Sequence, residues 1–157
     1  DLSEHIDVKE VIYSVCEDFS SVLKEKNITL NYKVNNEVNY IILGDKDKLK
    51  QVFINLISNA IKFNKKDGYI DVATSKSNSK IMVNVKDTGI GIKKEDLPFI
   101  FERLYRGDKS RHEIDGNGIG LTVVKNILLI HCASIEVKSE LGKGSEFIIE
   151  FKNVENI

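Results

Sequence analysis

The stretch DKDKLKQVFINLISNAIKF, residues 45–63, carries an apolar stripe at helical spacing, formed by Leu49, Val52, Phe53, Leu56, Ile57, Ala60 and Ile61. Asp45 is a favourable N-cap residue, so the stretch predicts one long amphipathic helix. Asn55, Asn59 and Lys62 are spaced i, i+4, i+7 and fall within an arc of about 60° beside the stripe. Asn is a poor residue for the middle of a helix. These three residues, the amide row, therefore indicate either a solvated flank of the helix or a row that faces something.

The residues outside this stretch show helix and strand patterns. Helical apolar spacing predicts helices over residues 8–26 and 118–132, with a short helix near 97–103. Alternating apolar and polar residues predict strands, which cover 28–34, 40–43, 69–75, 80–87, 134–140 and 145–152. Strand pairs with helices between them indicate an α+β fold: a two-layer α/β sandwich with one mixed, mainly antiparallel sheet of about five strands and three main helices on one face.

The composition of the 157-residue chain fits one domain, residues 1–157. Lysine and arginine number 23 and aspartate and glutamate 24, a net charge of −1 that argues against a nucleic-acid-binding protein. No apolar run approaches the ~18 residues that a membrane-spanning helix needs. The two cysteines, Cys16 and Cys132, lie in apolar surroundings, which is typical of reduced thiols in a cytoplasmic protein.

A carboxylate ends an otherwise apolar row in KIMVNVKD, residues 80–87. Because side chains alternate along a strand, Asp87 should point to the same interior as the aliphatic residues before it. A buried carboxylate needs hydrogen-bond donors, and Gly89 and Gly91 free the following backbone to turn beside it. Ser145 ends the core-facing row of the last strand in the same way. The two groups suit a pocket for a flat, polar-edged ligand; the alternative for Asp87 is an Asx-type turn that ends the strand.

Three glycines, Gly116, Gly118 and Gly120, stand at alternate positions in DGNGIGLT, residues 115–122, before an apolar helix. A glycine loop at a helix N-terminus presents unpaired N–H groups and the positive end of the helix dipole, which suits phosphate. The loop fits neither GxGxxG nor GxxxxGK[ST], so taken alone it indicates a phosphate site and a simple glycine-rich turn about equally. Together with the amide row and Asp87, it supplies groups that suit magnesium, phosphates and adenine.

Five blocks of the sequence resemble, in order, the motifs of one family. DKDKLKQVFINLISNAIKF resembles the N box, DTGIGI the first glycine box, FIFERLYRGD the F box, GNGIGLTVV the second glycine box and GKGSEF the last one. Over nearly its whole length the chain resembles the ATP-binding catalytic domain of bacterial sensor histidine kinases, in the GHKL ATPase superfamily. The resemblance implies the fold of that superfamily, with ATP and Mg²⁺ as its ligands.

The resemblance gives the amide row a role. Asn59 matches the magnesium ligand of the family, Asn55 lines the phosphate site, and Lys62 contacts phosphate. The hydrolysing members of the superfamily carry a glutamate as general base where this chain has Asn55, and an amide cannot remove a proton from water. The implied reaction is therefore phosphoryl transfer rather than efficient hydrolysis, with Asn55, Lys62 and Arg106 as catalytic residues.

The other implied contacts surround the nucleotide. Asp87 accepts a hydrogen bond from the adenine amino group, with Gly91 close to the base and Ser145 near Asp87. Residues 104–117 form a mobile lid over the nucleotide, expected to be poorly ordered unless nucleotide is bound, with Tyr105 and Arg106 at its root. The implied cofactor-binding residues are Asn55, Asn59, Lys62, Asp87, Gly89, Gly91, Tyr105, Arg106, Gly116, Gly118, Gly120, Leu121 and Ser145.

The acceptor histidine of this family lies on a helical hairpin before the domain, in a motif like His-Glu-Leu-Arg, and nothing in this sequence matches it. His5 resembles part of the linker that leaves that hairpin, so residues 1–7 are expected to be the end of a linker. His112 and His131 are expected to be structural or solvated. The chain should therefore bind ATP and should not complete autophosphorylation alone.

The resemblance also implies partners and a location. The partners are ATP, the dimerisation and phosphoacceptor domain of the same kinase, and a downstream response regulator. The isolated domain is expected to be monomeric and cytoplasmic, without direct membrane contact, within a parent protein anchored in the cell membrane.

Two other functions remain as alternatives. One is a free-standing regulatory module of the same superfamily, such as an anti-sigma factor that phosphorylates a serine; the FERLYR of the F box and the linker-like start favour the sensor kinase instead. The other is a degenerate scaffold that binds no nucleotide, which is disfavoured because no implied ligand position is damaged.

Overall fold

The computed structural model describes residues 2–102 and 117–154, with side chains from residue 120 onwards in the second range. The elements follow in the order β1 (Glu4–Asp7), α1 (Val8–Asp18), α2 (Ser20–Glu25), β2 (Thr29–Lys33), β3 (Ile41–Gly44), α3 (Lys46–Lys62), β4 (Tyr69–Lys76), β5 (Lys80–Asp87), a 3₁₀ turn (Leu97–Phe99), α4 (Asn117–Ile130), β6 (Ser134–Glu140) and β7 (Gly144–Lys152).

Five strands form the main sheet, in the order β2-β4-β5-β7-β6. β2 lies parallel to β4, and the other neighbouring pairs are antiparallel. Alternate residues of the central strands, among them Val72, Val83 and Ile149, are fully buried, and α3 packs against β5 while α4 packs against β6. The prediction of an α+β fold with a mixed, mainly antiparallel sheet of five strands is confirmed. No helix in the described ranges is long and apolar enough to cross a membrane.

The helix α3 is central to the core, as the opening stretch predicts. The Asp45 carboxylate caps it by accepting the N–H of Lys48 at 3.1 Å, and this bond holds the pKa of Asp45 below its usual value. All the residues of the predicted apolar stripe are at most 5% exposed. α3 also packs against both α1 and α4, so it helps to fix the positions of those two helices.

Two parts of the N-terminal region differ from the prediction. The helix expected over residues 8–26 is interrupted at Phe19, whose N–H bonds to the carbonyls of both Val15 and Cys16 in a tightened last turn. Residues 4–7 form β1 and pair antiparallel with β3 in a separate two-stranded sheet. The strand predicted over residues 40–43 therefore belongs to this second sheet rather than to the main one.

The pairing of β1 with β3 rests on few side chains. Ile6 is the one buried residue of β1, at 4% exposure, so the strand lacks the alternating apolar pattern that would predict it. Asp7 compensates with its carboxylate, which accepts the N–H groups of Lys9 and Tyr40 at 3.1 and 3.2 Å. One carboxylate thus caps α1 and holds the start of β3.

His131 ties the end of α4 to the start of α3. The ring is buried, Nε2 accepts the N–H of Asp45 at 3.0 Å, and Nδ1 lies 2.8 Å from the carbonyl oxygen of Ile127. Because a backbone N–H only donates and a carbonyl only accepts, Nδ1 carries the proton. His131 is therefore a structural residue.

Replacing Gly44 by alanine should destabilise the protein. A Cβ at Gly44 would lie 2.5 Å from His131 Cδ2 and 2.6 Å from Nε2, and both ring nitrogens are held by hydrogen bonds. We expect Gly44→Ala to lower the free energy of unfolding by about 1–3 kcal/mol, as measured by urea denaturation. If the clash is the cause, adding His131→Ala should cost less than the sum of the two single changes; strictly additive costs would exclude it.

Candidate functional site

Within the amide row of α3, Asn55 contacts the N-terminal turns of α4. Asn55 Nδ2 donates to the carbonyl of Gly120 at 3.1 Å, and Asn55 Oδ1 accepts from Gln51 Nε2 at 2.7 Å. Asn55 and Asn59 are partly buried, whereas Lys62 is exposed with Nζ 5.4 Å from the centre of the Phe63 ring. For Asn55 the structure therefore excludes the alternative of a solvated flank.

The start of α4 brings the second glycine block beside this row. α4 begins at Asn117, so Gly118 and Gly120 lie in its first turns. Leu121 is 2% exposed and belongs to the core, so a ligand there could be contacted through the Leu121 backbone and not through its side chain.

Asp87 lies at the end of β5 with its carboxylate buried, as predicted. Oδ1 accepts the N–H of Gly89 at 2.8 Å and the N–H of Ser145 at 3.3 Å. Burial raises the pKa of Asp87 above its usual value, and the two N–H groups oppose that rise without cancelling it. Both hydrogen bonds end on Oδ1, and within residues 2–102 and 117–154 no donor reaches Oδ2. The bond from Gly89 makes the Asx-type turn, so this alternative for Asp87 is confirmed, and it is compatible with a ligand site at the same residue.

Two glycines beside Asp87 are required by the backbone of the protein itself. A Cβ at Gly89 would lie 2.2 Å from the carbonyl oxygen of Phe63, at the end of α3. A Cβ at Gly91 would lie 2.2 Å from the carbonyl oxygen of Glu140, and Gly91 has a positive φ of 74°. These close approaches press the Asp87 turn against α3 and the β6–β7 hairpin, so both glycines shape the site whether or not a ligand touches them.

Gly120 differs from Gly89 and Gly91, because no backbone atom of the described residues crowds it. A Cβ there would meet Asn55 Nδ2 at 3.8 Å, an ordinary van der Waals distance, and nothing closer in the described residues. Glycine inside a helix costs roughly 0.5–1 kcal/mol relative to alanine. The packing of the described residues gives no reason for this cost.

Ser139 is a site residue that the sequence analysis missed. Its Oγ accepts the N–H of Ile92 at 2.8 Å, donates to the carbonyl of Gly144 at 3.0 Å and lies 2.8 Å from Ser145 Oγ. The predicted neighbour of Asp87, Ser145, thus bonds to Asp87 through its N–H and to Ser139 through its hydroxyl. The signal was present in the sequence, since the alternation of β6 places Ser139 in the core-facing row.

A second missed group, Asn64 with Thr88, joins the end of α3 to the Asp87 turn. Thr88 Oγ1 donates to Asn64 Oδ1 at 2.9 Å, and Asn64 Nδ2 donates to the carbonyl of Tyr69 at 3.1 Å. The N–H of Ile90 donates to the carbonyl of Phe63 at 3.0 Å. The amide row and Asp87 are therefore held in a fixed relation. Nothing in the periodicity of the sequence indicates this contact, because Asn64 and Thr88 both lie in loops.

Part of the predicted site lies outside the described residues. This applies to Tyr105, Arg106 and Gly116, and to the lid predicted over residues 104–117 apart from its last residue.

The described residues contain no group of three or more His, Cys, Asp or Glu side chains that could hold a metal ion. An amide oxygen is nevertheless a ligand that Mg²⁺ accepts beside phosphate oxygens and water. Asn59, partly buried and one turn after Asn55, offers such an oxygen.

Comparison with known proteins identifies the family. The sequence profile described as "Histidine kinase-, DNA gyrase B-, and HSP90-like ATPase" matches residues 44–155. The chain belongs to this family. The matched range begins just before α3 and contains Asn55, Asn59, Asp87 and Ser145, so the ATP-binding family predicted from the sequence is confirmed.

Similar curated proteins include a sensor protein and a signal transduction histidine-protein kinase. The chain is 35% identical over 158 residues to the sensor protein RprX of Bacteroides fragilis, covering 98% of this chain and 30% of that protein. It is 37% identical over 134 residues to the signal transduction histidine-protein kinase ArlS of Staphylococcus aureus, covering 85% of this chain and 27% of ArlS. The chain thus spans less than a third of these relatives. They favour the sensor kinase over the free-standing module.

Solved structures of histidine kinases share the fold. The catalytic domain of histidine kinase ThkA matches with a TM-score of 0.82 at 26% identity, over 96% of this chain and 95% of that one. Full-length ShkA in complex with AMPPNP matches with a TM-score of 0.81 at 29% identity, over 96% of this chain and 31% of ShkA. The ATPase family and the kinase relatives together support a histidine kinase catalytic domain.

The buried carboxylate of Asp87 should reduce stability at neutral pH. Its folded-state pKa is raised from 3.8, so its stabilising contribution is complete below that value and is lost as pH rises through the folded-state pKa. Asn retains an oxygen for the two N–H groups and removes the charge. We therefore expect Asp87→Asn to unfold at higher urea than the wild type at neutral pH, with the difference shrinking towards about pH 4. A variant less stable than the wild type at neutral pH would show that the charge is not penalised.

Proposed function

We propose that this chain binds Mg²⁺-ATP and donates the γ-phosphate to a histidine on a separate dimerisation domain, as the catalytic domain of a two-component sensor histidine kinase. The contact that carries the proposal joins Asn55 to Gly120, because it sets an amide row beside the first turns of a helix. Amide oxygens, N–H groups and a helix N-terminus are the groups that bind phosphates and their metal ion.

The adenine end of the site is formed by Asp87. Oδ1 accepts two N–H groups and no donor among the described residues reaches Oδ2, so Oδ2 would accept a hydrogen bond from the exocyclic amino group of adenine. Gly91 allows the turn to lie close to the hairpin that carries Ser145. The raised pKa of Asp87 fits this role, since perturbed carboxylates concentrate at functional sites.

The phosphate end lies along α3 and the start of α4. Asn59 would bind Mg²⁺ through its amide oxygen, and the metal would neutralise charge on the phosphates. Lys62, exposed at the end of α3, would contact a phosphate. The N–H groups of Gly118, Gly120 and Leu121, with Gly116, Tyr105 and Arg106 from the lid, complete the proposed set.

Asn55 favours transfer over hydrolysis. Its Nδ2 and Oδ1 are engaged with Gly120 and Gln51, and an amide has no lone pair basic enough to remove a proton from water. The group that activates the acceptor would therefore be supplied near the acceptor histidine. The proposal extends to a response regulator as the downstream partner, to a monomeric isolated domain, and to a cytoplasmic location within a membrane-anchored parent.

Phosphotransfer in trans tests the proposal. The chain is mixed with Mg²⁺, γ-labelled ATP and a separately expressed dimerisation hairpin that carries its acceptor histidine. We expect acid-labile label on the hairpin and none on this chain alone. Label on this chain without the hairpin would contradict the proposal. So would an unlabelled hairpin that retains its acceptor histidine, if this chain has bound ATP.

At Gly120, a side chain is expected to have opposite effects on the stability of the fold and on the affinity for ATP. Without a steric conflict in the described residues, Gly120→Ala should raise the free energy of unfolding by about 0.5–1 kcal/mol. The added methyl group would stand where a phosphate approaches the backbone, so ATP affinity should fall about tenfold. Urea denaturation and calorimetry of the same preparation measure both effects. Gly44→Ala is the matched control, because it should lower stability through a contact away from the nucleotide. Unchanged ATP affinity in Gly120→Ala would remove this position from the phosphate site.

A further inference from the structure

The hydroxyl groups of Ser139 and Ser145 form a pair whose proton positions follow from their partners. Ser139 Oγ donates to the carbonyl of Gly144 at 3.0 Å, because a carbonyl can only accept. It also accepts the N–H of Ile92 at 2.8 Å. A hydroxyl has one proton to donate, so in the contact of 2.8 Å between the two serines Ser145 is the donor. The hydroxyl of Ser139 is then fully used, and that of Ser145 retains only lone pairs.

The acceptor character of Ser145 matters because of its place beside Asp87. The N–H of Ser145 donates to Asp87 Oδ1 at 3.3 Å, so the two residues meet at the end of the main sheet. Asp87 Oδ2 accepts and, when ionised, cannot donate. The two side chains that end the core-facing rows thus offer lone pairs and no proton.

This arrangement has little freedom to change. A Cβ at Gly144 would lie 2.1 Å from the carbonyl oxygen of Asp87, and Gly144 has a φ of 117°, so the start of β7 is pressed against the Asp87 turn. Ser139 further ties the turn, through Ile92, to the same hairpin. Ser145 cannot turn its proton towards the pocket without breaking its bond to Ser139.

We propose that Ser139 is a positioning residue that sets the preference for the base: by taking the hydroxyl proton of Ser145, it keeps this end of the pocket acceptor-only. At position 6, a 6-aminopurine presents N–H donors, whereas a 6-oxopurine presents an acceptor. The pocket therefore selects the amino group twice, through Asp87 and through Ser145. This inference rests on the proposed nucleotide function.

The relative affinity for two nucleotides tests the inference. The dissociation constants of Mg²⁺-ATP and Mg²⁺-ITP are measured by calorimetry for the wild type and for Ser139→Ala. ITP differs from ATP at the 6-position and by the proton on N1, and it lacks the 2-amino group of GTP. In Ser139→Ala the proton of Ser145 is released and can donate to the 6-oxo group, so the preference for ATP should fall by about fivefold, the net worth of one hydrogen bond. A purely structural role would weaken both nucleotides equally, and an unchanged ratio would overturn the inference.

Further variants distinguish the effect of the Ser145 hydroxyl proton from an effect of side-chain packing at Ser139. Ser139→Thr keeps the hydroxyl and should keep the wild-type ratio, and Ser134→Ala, at an exposed position of the same strand, is the matched control. Ser145→Ala leaves the links from Ser139 to Ile92 and Gly144 in place, so it serves even if Ser139→Ala is unstable. It should lower the preference for ATP, and adding Ser139→Ala to it should change the ratio no further. A further fall in the double variant would overturn the inference. A wild type that binds neither nucleotide would instead overturn the proposed function on which it rests.

Discussion

The hydrogen bonds from the N–H groups of Gly89 and Ser145 to one oxygen of Asp87 are the constraint on which the site depends. They fix a carboxylate where β5 ends, join β5 to β7 and leave the second oxygen without a donor among the described residues. Burial still raises the pKa of this group, so the fold alone would be better served by a neutral residue. A group that the fold tolerates at a cost is expected where function requires it.

The glycines of the family motifs separate by the same physical criterion. Gly89 and Gly91 are required because an added Cβ would overlap a backbone carbonyl oxygen, that of Phe63 or of Glu140 respectively. They allow three segments to meet around Asp87. Gly120 has no such neighbour in the described residues, and under the proposed function the approach of the phosphates accounts for a glycine there. Glycine motifs that look alike in sequence therefore serve different purposes.

The sequence predicts what depends on periodicity and fails where single contacts decide. The apolar stripe of α3 and the alternating strands of the main sheet follow from the spacing of buried residues, and Asp87 follows from its place in such a row. β1 could not be predicted because one buried residue, Ile6, carries its apolar packing. The break at Phe19 escapes notice since the apolar spacing continues through it. The alternation of β6 places Ser139 in the core-facing row, but its partner Ile92, like the partner of Asn64, is far away in the chain, and no local pattern records such a pairing.

The affinity of Mg²⁺-ATP for the wild type and for Asp87→Asn, measured by calorimetry at neutral pH, tests the central claim most directly. The stability of the variant, measured on the same preparation, shows that the change is not an effect of unfolding. The account predicts that the variant is at least as stable as the wild type and binds ATP about ten- to hundredfold more weakly, the worth of a hydrogen bond to a charged group. Equal affinity of the two proteins for ATP would contradict it and would remove Asp87 from the nucleotide site.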